Sequence, residues 1–65
     1  MKVRDAIKLI ERDGWRLDRQ RGSHRIYTHN SKRGTVTVAG ARGDDLRAGT
    51  LGSILRQAGM KGNRQ

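Results

Sequence analysis

The sequence predicts an α+β fold of order α-β-β-β-α, a three-stranded antiparallel sheet with two helices on one face. Three observations carry it. Apolar residues recur at helical spacing near both ends of the chain, they alternate in twos through the middle, and short glycine or polar turns separate the alternating runs. An open antiparallel sheet has one face to bury, and two amphipathic helices suffice to cover it.

The elements follow in order. Over residues 2–13, Val3, Ala6, Ile7 and Ile10 share one helical face, while Lys2, Arg4, Lys8, Glu11 and Arg12 fall mostly on the other. Asp5 in the first turn and Arg12 in the last suit the helix dipole, and Gly14 is placed to end the helix. Residues 15–20 read as a strand with Trp15 and Leu17 on its covered side. Arg21-Gly22-Ser23 is a tight connection, and β-forming Ile26, Tyr27 and Thr28 mark a second strand over 24–30. The polar turn 30–34 leads into Thr35-Val36-Thr37-Val38, a clean alternation that defines the third strand. Residues 39–45 have no periodicity and read as a loop. Thr50 is the expected N-cap of a second helix, with Leu51, Ile54, Leu55 and Ala58 on one face and Gly59 as its stop. The expected core is Ile7, Ile10, Trp15, Leu17, Ile26, Val36, Val38, Leu51, Ile54 and Leu55. Residues 1–65 form one domain, with 61–65 expected to be a frayed polar tail.

Composition narrows the function classes. The 65 residues include no Cys and no Pro, so disulfides and thiolate metal sites are excluded. Two histidines with few carboxylates near them make a structural zinc site a poor fit, and no metal or cofactor is expected. Fifteen Lys and Arg against six acids give a formal charge of +9, which points to a polyanionic partner. No apolar run approaches the roughly 18 residues of a membrane span, and no signal-peptide core follows Met1. The expected location is the cytoplasm, with no membrane partner.

The charge concentrates around one histidine. Residues 16–34 hold six bases and a single acid, Asp18, and His24 lies among them. RNA carries its own nucleophile, the ribose 2′-hydroxyl. A metal-free nuclease needs a group to move protons and positive charge at the phosphate, and imidazole and guanidinium meet those needs. On this reading Arg21 and Arg25 flank the site, with Arg19 and Lys32 further out. Gly22 and Ser23 shape the loop, since glycine takes positive φ freely. Alternation places His24 on Ile26's side, close to the helices, with Tyr27 and His29 on the other face. The residues alone leave His24 equally readable as a surface-turn histidine, His29 as an exposed strand residue, and the arginines as solvated charge. One Trp, one Tyr and no Phe argue against a base-stacking platform.

The pattern as a whole resembles a known family. The opening helix ending in Gly14-Trp15, Gly22-Ser23-His24 leading into Ile26-Tyr27, Val36-Thr37-Val38, and the closing run from Gly49-Thr50-Leu51 to Gln57-Ala58-Gly59 are similar to HicA, the toxin of HicA–HicB toxin–antitoxin pairs. The resemblance implies a fold like that of the double-stranded-RNA-binding domain and an mRNA interferase activity. It also implies His24 as the catalytic histidine, Gly22 as the loop-shaping glycine, and a HicB-like antitoxin as partner; the free chain is expected to be a monomer. Relatives often follow the third strand with Pro and His, whereas this chain has Ala39-Gly40-Ala41-Arg42, and Arg25 stands where they often have an apolar residue or His. Two other functions fit the residues: a non-catalytic RNA-binding module, and a protein-interaction domain whose charge serves docking.

Overall fold

The computed structural model describes residues 1–60; the expected tail, 61–65, lies outside them. The order is α1 (Val3–Arg12), β1 (Arg16–Arg21), β2 (His24–Thr28), β3 (Val36–Val38) and α2 (Ala48–Gln57). The strands form one antiparallel sheet in the order β1-β2-β3, as the sequence predicts. Both helices cover the same face, because Tyr27, Val36 and Val38 join Val3, Ala6, Ile7, Ile10, Ile54 and Ala58 in a single core.

The ends of α1 show why the helix starts and stops where it does. A helix leaves its first amides without internal partners. Here the Asp5 carboxylate accepts from the Lys2 N–H at 2.8 Å, while Val3 and Arg4 donate to Asp44 O and Arg42 O at 2.9 and 3.1 Å. The 39–45 loop therefore folds back onto the start of α1, and a Lys2–Asp45 ion pair of 2.7 Å closes it. At the other end Trp15 N–H donates to Ile10 O and Gly14 N–H to Glu11 O, the Schellman pattern that a positive-φ glycine permits. Met60 and Gly59 repeat that pattern on Leu55 and Arg56. The second helix begins earlier than expected. Arg47 is its N-cap, without a side-chain cap bond, and Thr50 lies inside the first turn. The Leu46 N–H bond to Met1 O has already set the chain's approach, and Leu51 N–H closes the turn on Arg47 O.

Two core expectations are overturned. Tyr27, not Ile26, is the buried residue of β2, at 1 % exposure. Neighbouring strand residues point to opposite faces, so only one of this adjacent pair can enter the core. Pairing decides which. Tyr27 lies opposite Val36 and Arg25 opposite Val38, which turns His24, Ile26 and Thr28 to the open face. Leu17 shares Tyr27's face by register but sits on the outermost strand, beyond the helices, and is 50 % exposed. Every residue of β1 is exposed. No described helix is long and apolar enough to cross a membrane.

Candidate functional site

The open sheet face collects the chemistry. His24 and Arg21 close the β1–β2 hairpin as a directly opposed pair, joined by only Gly22 and Ser23. Gly22 has φ +57°, and no non-glycine residue among those described has positive φ, the arrangement of a type II′ turn. Opposed side chains on one face have Cβ atoms about 4.5–5.5 Å apart, so the Arg21 and His24 side chains leave the sheet from neighbouring positions. His24 is exposed.

The turn beneath His24 is held at both of its carbonyls. Gln20 Nε2 donates to Gly22 O at 2.9 Å, and Gly40 N–H donates to Ser23 O at 3.2 Å. Arg25 Nη1 returns to Gly40 O at 2.9 Å. The Gly40 peptide is thus bonded at one end to the turn and at the other to β2. Ala41 N–H then meets the Asp44 carboxylate at 3.0 Å, which anchors the loop that reaches α1. Rigid support of this kind is what a proton-transfer group needs to keep its geometry.

A β-bulge determines which arginines join His24. Between Leu17 and Arg19 the register with β2 slips by one residue. Before the slip Arg16 opposes Thr28 and Leu17 opposes Tyr27; after it Arg19 opposes Ile26 and Arg21 opposes His24. In an unbroken register Arg19 and Arg21 would share Leu17's face. The extra residue, Asp18, re-aims both onto the face of His24, a known use of bulges beside functional sites. Asp18 itself forms no ion pair among the described residues.

The remaining candidates lie elsewhere. Arg25 is on the helix side and engaged by Gly40. Lys32 is at the far end of β2, where its ammonium meets the Asp13 carboxylate at 2.5 Å and Ala58 O at 3.0 Å. That bond chiefly holds the Asp13 carboxyl below its ordinary value of 3.8, with Coulombic help from the Lys32 charge. Tyr27 is sealed in the core, and burial pushes its phenol up from 10.0, so near neutral pH it stays protonated.

His29, expected on an exposed strand, is instead part of the scaffold. It follows β2, and its side chain retains 12 % exposure. Its Nδ1 accepts the Ser31 and Lys32 amides at 2.9 and 3.2 Å. Nε2 must then carry the proton, and it donates to Asp13 O at 2.6 Å. The ring meets Trp15 edge-on, with centroids 5.1 Å apart. The Trp15 Nε1 is the one buried side-chain polar atom without a hydrogen-bond partner among the described residues.

Sequence reasoning missed three contributors: Arg16, which the register adds to the open face; Gln20, which braces the turn; and Gly40. Only Gly40 left a trace, as a glycine shortly before an Asp in an aperiodic loop. Among the described residues there is no cavity, and no three His, Asp or Glu side chains converge as metal ligands. The site is a flat basic surface.

The sequence model of one protein family, described as the HicA toxin of bacterial toxin–antitoxin, matches residues 3–60. No curated protein matches the chain.

Proposed function

Because the chain belongs to the HicA family of toxins from bacterial toxin–antitoxin pairs, we propose that it is a metal-independent endoribonuclease acting on mRNA, with His24 as its general acid/base. One observation carries this reading: the exposed imidazole is directly opposite Arg21, on a face shared with Arg19, while the other histidine is consumed by the scaffold. A small-molecule enzyme encloses its substrate in a cleft. A flat basic surface suits a polyanionic chain instead.

In the proposed reaction the 2′-oxygen bonds to phosphorus as the bond from phosphorus to the 5′-oxygen breaks. One proton leaves the 2′-hydroxyl and one reaches the 5′-oxygen. His24 carries one of these transfers, and solvent, which reaches the open face freely, carries the other. Arg21 and Arg19 neutralise the charge that builds on the phosphoryl oxygens. Gly22 and Ser23 shape the turn that presents the ring. Arg25 acts on this reading through Gly40, as a positioning residue, and Lys32 through the scaffold. A HicB-like antitoxin covers this face and silences it, and the cytoplasm, where mRNA is found, is the place of action. The free toxin acts as a monomer.

The test is incubation of labelled mRNA with the purified protein in EDTA. Wild type should cleave it, and His24→Ala should cleave about 10²–10⁴-fold more slowly with an unchanged circular-dichroism spectrum. Adding the antitoxin should stop the reaction. Undiminished cleavage by His24→Ala would remove the ring from the mechanism. RNA retention without cleavage would leave a binding module, and no RNA affinity at near-physiological salt would leave a protein-interaction domain.

A further inference from the structure

We infer that the open face binds RNA as a single strand laid along β1, with three successive phosphates on Arg16, Arg19 and Arg21 and the strand ending its track at His24. The inference rests on the ribonuclease reading and deepens it by naming the form of the substrate and its path.

The register supplies the geometry. Arg16, Arg19 and Arg21 oppose Thr28, Ile26 and His24, which are evenly two residues apart on β2. Two residues of strand advance about 7 Å, close to the separation of neighbouring phosphates on an extended single strand. In sequence the three arginines are unevenly spaced, by three and then two, and only the bulge makes them regular and co-facial. Arg16 is steadied by Asn30, whose Oδ1 accepts from Nη2 at 3.1 Å. That partner is neutral, so the positive charge remains available.

The rest of the face says which nucleic acid fits. To this side β2 adds His24, Ile26 and Thr28, and β3 adds Thr37, with no Lys or Arg. A duplex presents two phosphate backbones, and its second backbone would find no cation here. A single strand needs one charged line and a neutral floor for its bases, which the half-buried Ile26 and the two threonines provide. With no aromatic ring on that floor, base identity is read weakly. An acidic polypeptide would add in the plane of the sheet, along the unpaired edge of β1, and leave this face uncovered.

The experiment uses wild-type protein and a fluorescent single-stranded oligonucleotide with 2′-O-methyl sugars, which lacks the nucleophile and so reports binding alone. Single strands lose about 0.7 in the slope of log K against log salt per phosphate contact, so three contacts predict a slope of about −2. Arg16→Ala, Arg19→Ala and Arg21→Ala should each make it shallower by about 0.7, whereas Lys8→Ala and Arg12→Ala on α1 should leave it unchanged. Deleting Asp18 removes the unpaired residue and leaves Arg16, Arg19 and Arg21 opposite Thr28, Ile26 and His24, so the slope should stay at about −2, and if that variant does not fold, the three alanine variants decide. An unchanged slope in Arg19→Ala, equal losses from the α1 variants, or tighter binding of a duplex or of polyglutamate would overturn the track. Failure of the ribonuclease reading looks different: binding as described, with an unmodified RNA left intact.

Discussion

The two histidines, five residues apart at the two ends of β2, were dealt opposite parts. His24 opens the strand, exposed, above a turn whose every carbonyl is already engaged. His29 follows the strand, nearly enclosed, with both ring nitrogens committed to backbone and one face of its environment formed by Trp15. The lesson concerns how imidazole is used. Where hydrogen bonds fix the tautomer and close off solvent, the ring is a joint; where the backbone is fixed and the ring left open, it is free for the proton transfer proposed for it. The glycines beside them differ in the same way. A Cβ on Gly22 would meet nothing within 4 Å, whereas one on Gly14 would come within 2.7 Å of His29 Nε2.

Exchanging the two ends should expose this contrast most sharply in stability. His29→Ala leaves the Asp13 carbonyl and two amides without partners and opens space beside Trp15, a loss of about 2–4 kcal/mol. In a domain this small that lowers the melting temperature on the order of 10–20 °C, while His24→Ala should melt with wild type. Equal melting of the two variants would break the comparison. A smaller effect should separate the glycines. Gly22→Ala bears only the cost of a left-handed residue, about 1 kcal/mol, and Gly14→Ala bears that cost plus displacement of His29. Thermal melts should rank Gly14→Ala well below Gly22→Ala, and the reverse order would mean that His29 is not held where it stands.

The smallest expected difference lies in acid. Asp13 has its carboxyl lowered in the fold, mainly by the Lys32 ammonium, so it favours the folded state above the ordinary carboxylate range. That contribution is lost as pH falls through the lowered value. Melting of wild type should therefore decline more steeply than that of Lys32→Met from roughly pH 5 to pH 3, because the variant has less of this stabilisation to lose. Parallel curves would show that the ammonium contributes nothing to the acid response.

Much of the fold was readable along the chain. Spacing located both helices, Gly14 and Gly59 marked their ends, and Val36 and Val38 identified their own face. What stayed hidden depends on pairing between strands. Ile26 and Tyr27 are adjacent β-formers, and nothing local says which turns inward until Val36 lies across from Tyr27. The bulge is hidden for the same reason: Asp18 looks like one more polar residue of an exposed strand, yet it determines where two arginines point. At the candidate site, the concentration of bases over residues 16–34 pointed to His24, Arg21 and Arg19, and the family resemblance supplied the role expected of His24. Arg16 could not, since its spacing from Arg19 puts the two on opposite faces of a regular strand. His29 was misread because its partners, Asp13 O and the amides of Ser31 and Lys32, are backbone atoms, which no residue type announces.

One ammonium group has a consequence for how the molecule comes together. Lys32 reaches from the β2–β3 connection to Asp13 after the first helix and to Ala58 after the second, so stretches from the beginning, middle and end of the chain meet at a single nitrogen. The two bonds stand together only when all three have arrived, which favours all-or-none assembly over a ladder of partly built states. The turn that carries His24 and this knot lie at opposite ends of the same strand. A nascent chain still missing its last helix therefore has His24 but only half of the tie that helps hold the sheet.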